Sequence, residues 1–148
     1  MALRIPDSPL FTELRKLNLP ARDYAVFGSG PLWVRGIRPG KDLDLIARGK
    51  AWEILSERGE IKQGDGCSHT IKFKDGEIEA FDQWCTPGCD VDDIINHADV
   101  IEGIPFARLQ DVLCWKEQMN RDKDMDDIKL VEAYIEEHPE ESVVHTHS

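Results

Sequence analysis

Apolar residues recur at helical spacing in some stretches of this 148-residue chain and at every second position in shorter ones, so helices and strands are predicted to alternate. Leu10, Phe11, Leu14 and Leu17 fall on one helix face, with Ser8 as N-cap and Pro9 at the first helical position, and Asn18 and Pro20 stop that helix. Asp23 to Phe27 is a short apolar strand that runs directly into Gly28-Ser29-Gly30, after which Pro31 to Arg35 can open a short helix. A loop rich in Gly and Pro then delivers the chain to a strand over Asp42 to Ala47, and Lys50 to Arg58 reads as a helix ended by Gly59.

Asp75-Gly76 between the runs His69 to Lys74 and Glu77 to Phe81 predicts a hairpin. A loop rich in Cys and Asp follows, then a short edge strand within Ala98 to Phe106. Leu109 to Gln118 and Asp124 to Glu137 are helical by periodicity, with Asp124 in a capping position and Asp126 and Asp127 in the electropositive first turn. Pro139 ends the last helix. The pattern predicts an α/β (α+β) protein: a small mixed β-sheet flanked by helices, with a C-terminal helical segment, as one domain over 1–138 and a flexible tail over 139–148.

A net charge of −11 argues against a broad grip on nucleic acid, which needs clustered Lys and Arg, while leaving room for a small nucleotide carried with its own cation. The basic residues that exist, among them Arg35, Arg38, Lys41, Lys72 and Lys74, concentrate between 24 and 74, whereas 132–141 is mostly acidic. No apolar run is long enough to span a membrane and no apolar signal region precedes Pro6, so the expected location is cytoplasmic. Cys67, Cys85, Cys89 and Cys114 are then expected as free thiols; Cys85 and Cys89 with His69 or His97 form a weak zinc alternative, because their spacing is one residue too long and no second Cys pair follows.

The chemistry concentrates in Asp42-Leu43-Asp44-Leu45. Alternation on a strand puts Asp42 and Asp44 on one face and Leu43 and Leu45 on the other. Two carboxylates side by side repel unless a cation lies between them, which suits Mg²⁺ (or Mn²⁺); a solvent-facing strand edge is the alternative. On the second hairpin strand Ile78 and Ala80 oppose Glu77, Glu79 and Phe81, so Glu79 can meet the aspartate pair as a third carboxylate, holding metal and taking a proton from an attacking hydroxyl. Asp82 is the runner-up, on the opposite parity. Gly28 and Gly30 let backbone approach a phosphate and Ser29 can hydrogen-bond its oxygen. Trp33, Trp52, Trp84 and Trp115 are candidates for stacking a base, or core residues.

Phe27-Gly28-Ser29, a gap of about twelve residues, Asp42-Leu43-Asp44-Leu45 and then Ile78-Glu79-Ala80 resemble the signature of the polymerase-beta-like nucleotidyltransferase superfamily, and the block from Trp115 to Ile128 resembles the C-terminal helices of its small bacterial and archaeal members, including the toxin-type branch. The resemblance covers roughly residues 22 to 135, departing at Glu79, where Asp is usual. It implies the nucleotidyltransferase fold and transfer of an NMP from an NTP to a hydroxyl with release of pyrophosphate. Asp42, Asp44 and Glu79 would be the catalytic metal ligands, and Gly28, Ser29, Gly30, Lys41, Lys116 and Lys123 would face the nucleotide. Lys116 and Lys123 can instead pair with nearby acids on a helix surface, and Arg121 with Asp124. A module that binds nucleotide or a protein partner without turnover is the alternative.

Overall fold

The computed structural model describes residues 3–64, 68–73, 76–83 and 90–139. The predicted zinc ligands Cys85 and Cys89, along with Cys67, Trp84, Lys74, Asp75 and nearly all of the tail, lie outside the described residues.

Helix α1 (Pro9–Lys16) starts where Ser8 Oγ accepts the Leu10 N–H, and it buries Leu10, Phe11 and Leu14. Strand β1 (Tyr24–Phe27) is buried along its whole length, as a central strand covered on both faces must be. The chain turns through Gly28 into α2 (Gly30–Val34), then follows β2 (Leu43–Ala47), α3 (Gly49–Arg58), β3 (Lys62–Gln63), β4 (His69–Phe73) and β5 (Ile78–Phe81). After α4 (Val91–Asn96) come β6 (Asp99–Ile101), β7 (Ile104–Phe106), α5 (Leu109–Met119) and α6 (Asp122–Glu137).

The described strands form one mixed sheet in the order β3-β4-β5-β2-β1-β7-β6. β1 and β2 are antiparallel neighbours, β2 and β5 are parallel, and β4 and β5 are antiparallel. Side-chain alternation divides the core by sheet face. Leu43 and Leu45 of β2 join Val26, Ile78 and Ala80 against α1 and α3. Ile46 joins Ala25 and Phe27 on the other face, under α4, α5 and α6. Asp44 belongs by parity to this second face.

Three predicted elements are corrected. The loop rich in Cys and Asp ends in α4, where Asp90 accepts the Asp93 N–H and Val91, Ile94 and Ile95 are buried at helical spacing. The single edge strand within 98–106 is a hairpin, β6 and β7, turning at Glu102 (φ +49°) and Gly103 (φ +85°). Both turn residues are left-handed, as a two-residue hairpin turn requires, and Glu102 is held there by the Ile5 N–H on its carboxylate (2.6 Å) and Arg15 on its carbonyl (3.1 Å). Helix α6 begins two residues early: Asp124 sits in its first turn, accepting the Arg121 backbone N–H at 3.1 Å.

Candidate functional site

The site grows from the end of β1. Gly28 has φ +63°, a conformation disfavoured for residues with a Cβ, and a Cβ placed there would lie 2.6 Å from Asp44 Oδ2. The glycine thus lets the backbone pass directly over the Asp44 carboxylate. Ser29 O receives the first hydrogen bonds of α2, and Ser29 Oγ donates to the Asp42 carbonyl at 3.4 Å, tying the turn to the start of β2.

Asp42 is exposed, just ahead of β2, and Asp44 is half-buried within it. Sheet register sets Phe27, Asp44, Glu79 and Lys72 side by side across β1, β2, β5 and β4. Directly paired residues on neighbouring strands project to the same face, so Asp44 and Glu79 form a carboxylate pair flanked by a lysine. Asp82 is committed elsewhere: its carboxylate accepts the His69 N–H at 2.8 Å and lies 2.9 Å from His69 Nδ1. Of the two candidates for the third acid, only Glu79 is in register with Asp44.

Burial, then the charges of Glu79 and Asp42, push Asp44 from its ordinary 3.8 up to about 6, against the opposing pull of Lys116 and Lys123. Crowded acids of this kind suit a divalent cation: the donors are hard oxygens, and the backbone over Asp44 is bare at Gly28. Among the described residues, no three His, Cys, Asp or Glu side chains converge as closely as the ligands of a bound metal would.

A cavity of about 460 Å³ opens between this sheet end and the last two helices, with Gly28, Ser29, Asp42 and Asp44 on one side and Trp115, Lys116, Arg121 and Lys123 on the other. Its cations are not equivalent. Lys116 is buried, with Nζ 2.9 Å from Asp127 and 3.6 Å from Asp124. Arg121 donates to Asp124 at 2.6 Å and lies over the Trp115 ring, 5.2 Å from its centroid. Arg38 forks onto Asp127 at 2.6 and 2.7 Å. Burial alone would push Asp124 and Asp127 up; hydrogen bonds from Arg121 to the first, and from Arg38 and Lys116 to the second, hold both below the usual carboxylate range. Lys123 is exposed, and among the described residues it forms no ion pair.

Lys41 lines a different pocket, of about 410 Å³, together with Trp33, Gly40 and Glu77. Of the tryptophans, Trp115 borders the Asp44 cavity, Trp33 packs on Phe11 with ring centroids 5.2 Å apart, and Trp52 lies against the α1 and α3 core. The contribution of Arg38 was not legible in the sequence, because its partner Asp127 lies far along the chain in α6. Sequence distance hides the pair; the Gly and Pro around Arg38 mark only a loop.

No family model, no curated protein and no solved structure matches the chain. Among the described residues no helix is long and apolar enough to cross a membrane.

Proposed function

We propose that this protein is a metal-dependent nucleotidyltransferase that moves an NMP from an NTP to a hydroxyl acceptor. The observation that carries the reading is Asp44: a half-buried carboxylate in register with Glu79, crowded by Asp42, beneath a glycine that no other residue can replace without collision, and facing a cavity with a free lysine. The nearby lysines Lys116 and Lys123 offset these charges only in part, leaving Asp44 raised to about 6, whereas Mg²⁺ or Mn²⁺ bound by Asp42, Asp44 and Glu79 would neutralise them and supply electrostatic stabilisation to a phosphoryl group in transfer.

The chain's own residues then have distinct tasks. Ser29 and Gly28 admit a phosphate close to the backbone, whereas Gly30 is buried against Val26 and does not line the cavity. Lys123 is the cation at liberty to pair with a triphosphate. Glu79, in register with Asp44, would receive the proton of the attacking hydroxyl as its oxygen bonds to the α-phosphorus and pyrophosphate departs. The test is incorporation of label from α-labelled NTPs with Mg²⁺ or Mn²⁺ into acceptor mixtures of RNA, protein and small alcohols, with pyrophosphate release read in parallel. Saturable NTP binding with neither signal would reduce the protein to a nucleotide-binding module, and absence of NTP binding would sink the reading.

Lys123→Ala is expected to weaken NTP binding by about tenfold, the loss of one charge-assisted contact. Because the side chain is exposed and outside the ion-pair network, unfolding free energy should move by less than about 0.5 kcal/mol. Calorimetric titration beside a urea melt separates the two effects.

A further inference from the structure

The loop over residues 36–41 carries the chain from α2 to the first candidate metal ligand, Asp42, and it is pinned at two points. Gly40 is wedged between the Trp33 ring and Ser29: a Cβ on it would lie 2.8 Å from Trp33 Cε3 and 3.0 Å from Ser29 Oγ. Arg38 provides the other pin. Its Nε and Nη2 grip both oxygens of Asp127 in α6, at 2.6 and 2.7 Å, while Nη1 donates to the carbonyl of Pro39 in its own loop at 3.1 Å. One rigid guanidinium therefore stitches the loop backbone to the C-terminal helix. Asp127 is a firm anchor, since its carboxylate is 9% exposed and also accepts Lys116 Nζ at 2.9 Å.

We propose that Arg38 is a positioning residue for the metal site: its fork onto Asp127 fixes the loop that sets Asp42 relative to Asp44 and the Gly28-Ser29 turn. The inference rests on the nucleotidyltransferase reading and extends it, because it assigns the site's geometry to a contact between a loop and a helix remote in sequence. A planar fork with two short bonds restrains both position and orientation, which a single ammonium contact does not. Residues that orient metal ligands without touching the metal commonly change its affinity by 10–100-fold when replaced.

The experiment is a titration of the full-length protein with Mn²⁺ alone, free Mn²⁺ being read by electron paramagnetic resonance, for wild type, Arg38→Gln, Arg38→Lys and Arg48→Gln. Arg48 sits at the opposite end of β2 and pairs with Asp92 at 2.8 Å and Asp23 at 3.7 Å, so its variant loses two ion pairs without touching the loop. Arg38→Gln should bind Mn²⁺ about tenfold or more weakly and Arg38→Lys should fall between it and wild type, with native circular dichroism in both and Arg48→Gln unchanged. Wild-type affinity in Arg38→Gln, or an equal loss in Arg48→Gln, overturns the positioning role while the functional reading stands. If wild type shows no saturable Mn²⁺ binding, the metal site falls and the positioning role with it. Should Arg38→Gln not fold, Arg38→Lys decides alone: weaker binding supports the role and unchanged affinity overturns it.

Discussion

Asp44→Asn is expected to remove metal-dependent nucleotidyl transfer, by about 10³-fold or more, and at the same time to stabilise the metal-free protein at neutral pH. The opposite signs have one cause. Asp44 is held as an anion in a half-buried position beside Glu79 and Asp42, and its pKa stands at about 6 in place of 3.8. A rise of that size corresponds to about 3 kcal/mol against the charged form as an upper figure. Since the folded state holds the proton more tightly than the unfolded chain, this penalty is absent below about pH 4, grows as pH rises, and is complete above about pH 6. Stability of the metal-free wild type should therefore fall across that window, and Asp44→Asn should lack this component of the fall. A gain of about 1–2 kcal/mol at neutral pH, or several degrees in melting temperature, is the expected difference, vanishing near pH 4. Mg²⁺ or Mn²⁺ should raise the melting temperature of wild type and leave the variant unmoved. A variant that transfers nucleotide like wild type, or that is equally destabilised at both pH values, contradicts the assignment of Asp44.

The sequence revealed the parts of this site that depend on strand parity and little of what depends on tertiary pairing. Leu43 and Leu45 under the sheet, and Asp44 and Glu79 on its other side, follow from a period of two and are what the sheet displays. The register between β2 and β5 was not legible, because parallel neighbours are joined through α3 and two further strands, and no turn fixes their offset. That register, together with the His69 contact on Asp82, distinguishes the two candidate acids. Helix α4 was hidden by composition: the three aspartates at 90, 92 and 93 read as loop, yet Asp90 is an N-cap and the other two favour a helix's first turn. Lys116 and Lys41 show a different limit. A lysine is rarely buried, so sequence gives no reason to place Lys116 inside, and a lysine beside Asp42 gives no hint that it faces the Trp33 pocket.

Lys116→Met is expected to cost about 3–5 kcal/mol of folding free energy, the usual effect of removing one partner from a buried ion pair. Lys116 Nζ stands between Asp127 and Asp124, whose side chains are 9% and 0% exposed, so neither carboxylate can recover hydration when the ammonium is gone. Methionine fills the same volume and removes only the charge. Each carboxylate keeps one arginine, Arg38 on Asp127 and Arg121 on Asp124, which places the loss toward the lower end, about 3 kcal/mol, or roughly 10 °C in melting temperature. Urea melts of Lys116→Met and Lys123→Ala side by side separate a lysine that holds the helices from an exposed one outside the ion-pair network. If Lys116→Met unfolds at the wild-type urea concentration and loses only nucleotide binding, the buried network contributes nothing to stability and the ammonium belongs to the ligand. If it unfolds early, as expected, the same charges that frame the cavity also fasten α5 to α6. The wall facing Asp44 is then fastened independently of any ligand, with Lys123 exposed beside it.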